Sequence, residues 1–293
     1  MTEYPHVLVN DGRGGQMIFP PFIPQANLDT LATQFETLPR DTFVVTFPKC
    51  GTTWMEQVIH LLLNDGEQGE KLITDQNPWV EAIPSRPQGF HQFLAQMMQP
   101  RVFTSHLPLQ LMPGLGDPMA RFVYVARNPK DTAVSYYYHD RSKIGYDGSW
   151  ADHLQLFMAG KLMFGNFFSH VLDWWQASQT AENIFFTTYE AMKADLGQVV
   201  TQLADFLDVA AAPALVKTVV EKSRFKAMVT NPQTNFSWVP SKEGEASHFR
   251  KGVVGDWRNH FSPEQNEAFD TLFTERMVGS NLRLDFGDGL ILP

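Results

Sequence analysis

Residues 42–63 read TFVVTFPKCGTTWMEQVIHLLL, a strand, a tight turn and a helix in succession. Thr42 to Phe47 is β-branched and aromatic, bounded by Arg40-Asp41 and Pro48, as a short buried strand would be. From Trp54 onward the apolar residues Trp54, Val58, Leu61 and Leu62 recur at helical spacing, and Asn64-Asp65-Gly66 supplies a stop. The turn between them is Pro48-Lys49-Cys50-Gly51-Thr52-Thr53. Gly51 permits a sharp bend, Thr52 and Thr53 place hydroxyls beside free helix N-terminal amides, and Lys49 adds positive charge. Together they make an anion cradle. The nucleotide-binding pattern GxxxxGK[ST] is not matched, because Lys49 precedes the glycine instead of following it.

Three more strands follow at Arg101–Thr104, Arg121–Arg127 and Asn183–Thr188. Helical patterns separate them, at 132–139, from about Trp150, and at 166–177; others follow at 199–207 and 214–221. Ser262, with Pro263 at the first position, is expected to cap a last helix running to about Val278. Strands alternating with helices imply an α/β fold with a central parallel sheet. No repeat, low-complexity run or linker divides the chain, so 1–293 is expected to be one domain. Residues 1–15 are expected to be irregular, and Asn27 or Asp29 to cap a short helix reaching about Thr37. The polar stretch 231–247 is a lid candidate.

The bulk numbers narrow the function. A chain of 293 residues with 43% hydrophobic and 19% charged content is ordinary for a globular protein. Its apolar runs are far shorter than the ~18–20 residues that span a bilayer. The N-terminal residues lack a signal-peptide core, and the single cysteine, Cys50, fits a reducing compartment, so a cytoplasmic location and no membrane partner are expected. A net charge of −9 argues against a nucleic-acid surface while leaving room for a small polyanion in a locally basic pocket. The nine histidines are scattered and Cys50 has no partner, so no metal site is expected.

Basic residues recur at the ends of elements. Arg127 closes the strand RFVYVAR and can form two hydrogen bonds with a phosphate; Ser135 lies on the helix that follows. Arg250 and Lys251, followed by Gly252, form a second anion clamp. His106 ends the second strand, where ligands bind in α/β sheets. The stiff apolar segment 17–23, with Phe19 and Phe22, either covers a core edge or walls a pocket.

These segments in this order, PKCGTTW, SHLPLQLMP, ARNPKDTAVSYYYH, TTYEAMKAD, SRFKAM and FRKG…GDW, resemble the cytosolic sulfotransferase family over roughly residues 15–285. The resemblance implies a single P-loop nucleotide-kinase-like domain. It also implies 3′-phosphoadenosine 5′-phosphosulfate (PAPS) as co-substrate and adenosine 3′,5′-bisphosphate (PAP) as product. It makes His106 the general base and Lys49 the group that stabilises the leaving phosphate. Lys49, Cys50, Gly51, Thr52, Thr53 and Trp54 then surround the 5′-phosphate end, with Trp54 near the adenine. Arg127, Ser135, Arg250, Lys251 and Gly252 take the 3′-phosphate. Tyr189 contacts the adenosine, Phe225 and Met228 sandwich the base, and Ser223 and Phe249 assist. Phe19, Phe22, Trp79, Glu81, Tyr138, Asp140 and Tyr146 are the acceptor-pocket candidates.

The chain departs from the family pattern in three places. Thr104 stands where better-studied animal members have lysine, and Arg224 replaces a typical serine. The dimer segment KxxxTVxxxE is altered to Arg258, Ser262-Pro263 and Glu267, leaving monomer and homodimer both open. The expected reaction moves a sulfonate to a hydroxyl or amine of a small acceptor. Apolar segments favour phenols or alcohols, whereas Glu81, Asp140 and Asp147 favour a cationic amine or guanidinium. A P-loop-type kinase and a non-catalytic nucleotide-binding protein are the alternatives.

Overall fold

The computed structural model describes residues 6–287 and 289–292. Its centre is a parallel sheet of four strands, β3 (Thr42–Val45), β4 (Val102–Ser105), β5 (Arg121–Ala126) and β6 (Ile184–Thr188), in the order β4-β3-β5-β6. The strands are apolar on both faces, as a sheet covered by helices on two sides requires. Phe43 stacks on Phe103 at 5.1 Å and on Phe122 at 5.2 Å, its register partners on either side. Val44, Val123 and Val125 point to the other face and bury against Met55, Val58 and Ile59. That packing explains why α2 (Thr52–Leu63) is buried along most of its length.

The chain leaves β3 for β4 on one side and crosses back to β5 on the other. This reversal opens a crevice beyond the carboxyl ends of the strands. The helix following β5, α5 (Pro129–His139), starts on an Asn128 side-chain cap with Pro129 at its first position. Helices at Trp150–Met158 and Phe167–Ser178 pack on one face, and those at Leu196–Phe206 and Pro213–Lys222 on the other. The last long helix, Pro263–Met277, opens with a capping box between Ser262 and Gln265.

Two expectations at the N-terminus are corrected. Within residues 1–15, Val7–Asn10 forms a strand (β1) that pairs antiparallel with Gln16–Phe19 (β2). The glycines between them form a loop in which the Asp11 carboxylate accepts hydrogen bonds from the Arg13 and Gly15 amides. The first helix, α1 (Gln25–Gln34), begins after Pro24 with no side-chain cap. Asn27 lies inside it and instead donates to the Glu81 carbonyl at 2.9 Å, tying the helix to the segment after Trp79.

Candidate active site

Each strand of the sheet hands a chemically active residue to the crevice. Lys49 follows β3, His106 follows β4, Arg127 follows β5 and Tyr189 follows β6; all four line one cavity of about 760 Å³. The placement is topological, since parallel strands present all their carboxyl ends on the same edge.

The β3–α2 turn is built on positive φ angles. Lys49 sits at φ 72° and Gly51, which caps α2, at φ 109°. A Cβ on Gly51 would stand 3.0 Å from the Tyr189 ring, so both backbone and space demand glycine here. Thr52 and Thr53 open the helix, and the amides of Trp54 and Met55 both donate to the Gly51 carbonyl at 3.1 Å; a helix N-terminus of this kind favours an anion. Burial pushes the Lys49 ammonium down to about 8, and Asp140 nearby opposes the shift.

His106 is locked in one tautomer. Its Nδ1 lies 2.8 Å from the Thr46 carbonyl oxygen, which can only accept, so Nδ1 carries the proton and Nε2 keeps its lone pair. The His106 amide donates to Glu81 Oε1 at 2.8 Å, and its carbonyl accepts from His170 Nε2 at 3.1 Å. Trp79 and Phe164 set their rings edge-on at 5.0 and 5.2 Å. Burial pushes the imidazole down to about 3, which keeps it neutral with Nε2 unprotonated.

The basic residues gather at the other end. Arg127 lies over the Tyr189 ring at 4.4 Å and donates to the carbonyls of Lys49 and Val253, while its buried Nε has no partner. Arg250 and Lys251 both pair with Asp256, at 2.6 and 2.7 Å, leaving one net positive charge. Burial alone would raise the Asp256 carboxyl, yet the hydrogen bonds from Lys251, Asn259 and Arg250 hold it far below the usual range. Ser135 lines the same cavity. So do Trp54, Ser223, Phe225 and Met228, and the Trp54 Nε1 and Ser223 Oγ atoms are also buried without partners. Three orphaned polar atoms around one cavity fit a ligand rich in polar groups, such as a nucleotide. Gly252 is required for another reason than close approach to a phosphate. A Cβ there would fall 2.2 Å from the Phe225 ring.

A family model described as a sulfotransferase domain matches residues 39–281. The chain belongs to the sulfotransferase family. Sulfotransferase 1E1 of Bos taurus is 33% identical over 279 residues, 92% of this chain and 93% of that protein. Sulfotransferase 1A1 of Bos taurus is 35% identical over 260 residues, covering 85% and 87%. Mouse sulfotransferase SULT7A1, solved in complex with PAP, superposes with a TM-score of 0.75 at 30% identity, covering 92% of this chain and 94% of that one. Retinol dehydratase shares the fold, with a TM-score of 0.80 at 21% identity over 96% and 93% of the two chains.

Within this sulfotransferase several expected pocket residues point elsewhere. Phe19 is fully buried in the core against Phe164, 4.8 Å away, whereas Phe22 and Trp79 stack at 5.8 Å and line the cavity. Glu81 is spent on the His106 amide, and Asp140 accepts from His153 Nε2 at 2.9 Å; both are fully buried and off the cavity wall. Tyr138 turns toward Arg250, which lies over its ring at 4.8 Å, and Tyr146 packs on His153. The Cys50 side chain faces the core and contacts Thr132 Oγ1 at 3.6 Å; burial pushes its thiol up to about 12. Only the backbone of Cys50 belongs to the cradle. Phe249 lines the cavity beside Phe225, their ring centroids 5.8 Å apart.

The sulfotransferase also brings in residues that no motif singles out. His139, one turn beyond Ser135 on α5, places Nδ1 3.3 Å from Lys49 Nζ. His248, next to Phe249, stacks on Phe236 with 3.9 Å between centroids and reaches Thr53 Oγ1 at 3.3 Å. Glu56 bonds to Thr104 on the cavity wall. The 231–247 stretch supplies Phe236 and Val239 to the cavity and is fastened from outside by the Arg141–Glu245 ion pair, at 2.6 Å, and by Lys143.

Proposed function

We propose that this protein transfers a sulfonate from PAPS to the hydroxyl of a small, largely apolar acceptor. The observation that carries the reading is the convergence of Lys49, His106 and Arg127 on one cavity, with His106 held in the tautomer whose Nε2 is basic. PAPS supplies the transferable sulfonate. Thr52, Thr53 and the α2 amides bind its 5′-phosphate end. Arg127, Ser135, Arg250 and Lys251 bind the 3′-phosphate, and Tyr189, Trp54, Phe225, Met228 and Ser223 enclose the adenosine. His106 Nε2 accepts the acceptor proton as the new O–S bond forms. The Lys49 ammonium offsets charge on the phosphate oxygen released as the old S–O bond breaks.

A hydroxyl is favoured over a cationic amine because the expected counter-charges are not at the wall. Glu81 and Asp140 are buried in other bonds, and Asp147 is exposed to solvent. The cavity is lined instead by Phe22, Trp79, Phe164 and Phe236. We also place the protein in the cytoplasm, since Cys50 is an unpaired thiol, and infer that the family's small dimer contact is lost. Arg258 is committed to the Phe286 and Gly287 carbonyls at 3.0 and 3.1 Å. Calorimetry with PAP against adenosine 5′-monophosphate tests the cofactor assignment. PAP is expected to bind at least a hundredfold more tightly, and equal affinities would overturn the 3′-phosphate site.

A further inference from the structure

We propose that His139 is a positioning residue for Lys49, orienting the ammonium through a neutral acceptor that leaves its charge uncompensated. The inference rests on the proposed role of Lys49 in the transfer. It begins with a proton count. An ammonium can only donate, so at 3.3 Å the His139 Nδ1 must accept from Lys49 Nζ. His139 is therefore neutral, with its proton on Nε2. Burial first, and then the charge of Lys49 itself, hold this imidazole well below its ordinary range.

The surroundings support a dedicated role. His106 and His248, the other imidazoles beside Lys49, are also held neutral by burial. Arg127 and Lys143 are the other cations acting on Lys49, and among the described residues Asp140 is the carboxylate that favours the Lys49 charge. Asp140 accepts from His153 Nε2 at 2.9 Å while its charge also acts on Lys49. A carboxylate bonded to Nζ would orient Lys49 but cancel the charge that a leaving phosphate needs. A neutral imidazole orients it without that cancellation.

His139 also sits where it can couple two functions. Ser135 and His139 lie one turn apart on the same face of α5, and both line the cavity. The helix passes directly into a π-helical turn at Asp140–Ile144, a local widening common at functional sites. One rigid element therefore carries a residue proposed for the 3′-phosphate and the residue that aims Lys49.

The test uses His139→Leu, His139→Gln, Lys49→Met and the double variant His139→Leu/Lys49→Met. His139→Leu is expected to lower kcat tenfold or more while PAP affinity stays within threefold. His139→Gln, whose carbonyl can accept from Nζ, is expected to stay within threefold of wild type. In the Lys49→Met background, His139→Leu is expected to change kcat by less than twofold. A readout independent of turnover is the titration of the Lys49 13Cε resonance. Its midpoint should fall in His139→Leu and hold in His139→Gln, because the bond favours the charged form. Wild-type kcat in His139→Leu, equal impairment of His139→Leu and His139→Gln, or a full further loss in the Lys49→Met background would overturn the proposal. An inactive wild type with the expected 13Cε shifts would instead count against the sulfonate-transfer reading alone.

Discussion

The His106 ring donates Nδ1–H to the Thr46 carbonyl at 2.8 Å, and Thr46 Oγ1 in turn stands 2.7 Å from Thr52 Oγ1. The end of β3 thus orients His106, the proposed base that follows β4, and touches Thr52, the first residue of α2. The proposed base and the proposed phosphate site are joined through one threonine.

The pH dependence follows from which groups are held off their ordinary values. Burial pushes His106 down to about 3 and Lys49 to about 8. His106 is then neutral across the usual range, so kcat/KM for PAPS should show no acid limb near 6.5. It should fall above about pH 8 as Lys49 loses its proton, and Lys49→Arg should move that limb upward, out of the range measured. A pH profile measured from 5 to 10 checks this; a midpoint near 6.5 that vanishes in His106→Gln would contradict it.

Glu56 is predicted to be a protonated acid. The Thr104 hydroxyl lies 3.1 Å from the Asn77 carbonyl, which can only accept. The same hydroxyl donates to Glu56 Oε1, a bond that opposes the rise in this carboxyl. Burial pushes Glu56 up to about 7, well above its unfolded value. For a raised carboxyl the stability is fully present below the unfolded pKa and is lost as pH rises to the folded one. Between pH 4.5 and 7 Glu56 should therefore cost up to roughly 3 kcal/mol. Glu56→Gln keeps an acceptor for the Thr104 hydroxyl while removing the titrating group, and should flatten that decline, read as urea midpoints at pH 5 and 7. Parallel declines in the two proteins would show Glu56 ionised in the fold.

Gly252→Ala should damage both nucleotide binding and folding. The new methyl collides with the Phe225 ring at 2.2 Å, and the residue sits at φ 66°, which alanine resists. The ring is expected to shift, lowering PAP affinity about tenfold at a stability cost of about 1–3 kcal/mol. Calorimetry and thermal melts separate the two effects; unchanged affinity would remove Phe225 from the nucleotide site.

Much of the architecture was legible in the chain because it depends on local pattern. The β3 strand, the Gly51 turn and the Ser262 cap each follow from a few adjacent residues. The β1–β2 hairpin was not legible, since its glycines read as an irregular segment until Asp11 closes them into a loop. One end of the cavity lies on strand ends, and the convergence of Lys49, Arg127 and Tyr189 there was legible. The acceptor end was not. Glu81 and Asp140 turn away because His106 and His153 take them, partners distant in sequence. His139 and His248 enter the cavity from a helix end and a long loop, and only the packed fold brings them to Lys49 and Thr53.

The central claim is that His106 is the base for sulfonate transfer at a site that binds PAPS without it. Turnover of labelled PAPS with a phenolic acceptor, measured alongside PAP affinity in His106→Ala, tests it most directly. The account predicts a loss of at least about a hundredfold in kcat with PAP affinity within threefold of wild type. Turnover that survives in His106→Ala, with the nucleotide still bound, would contradict it.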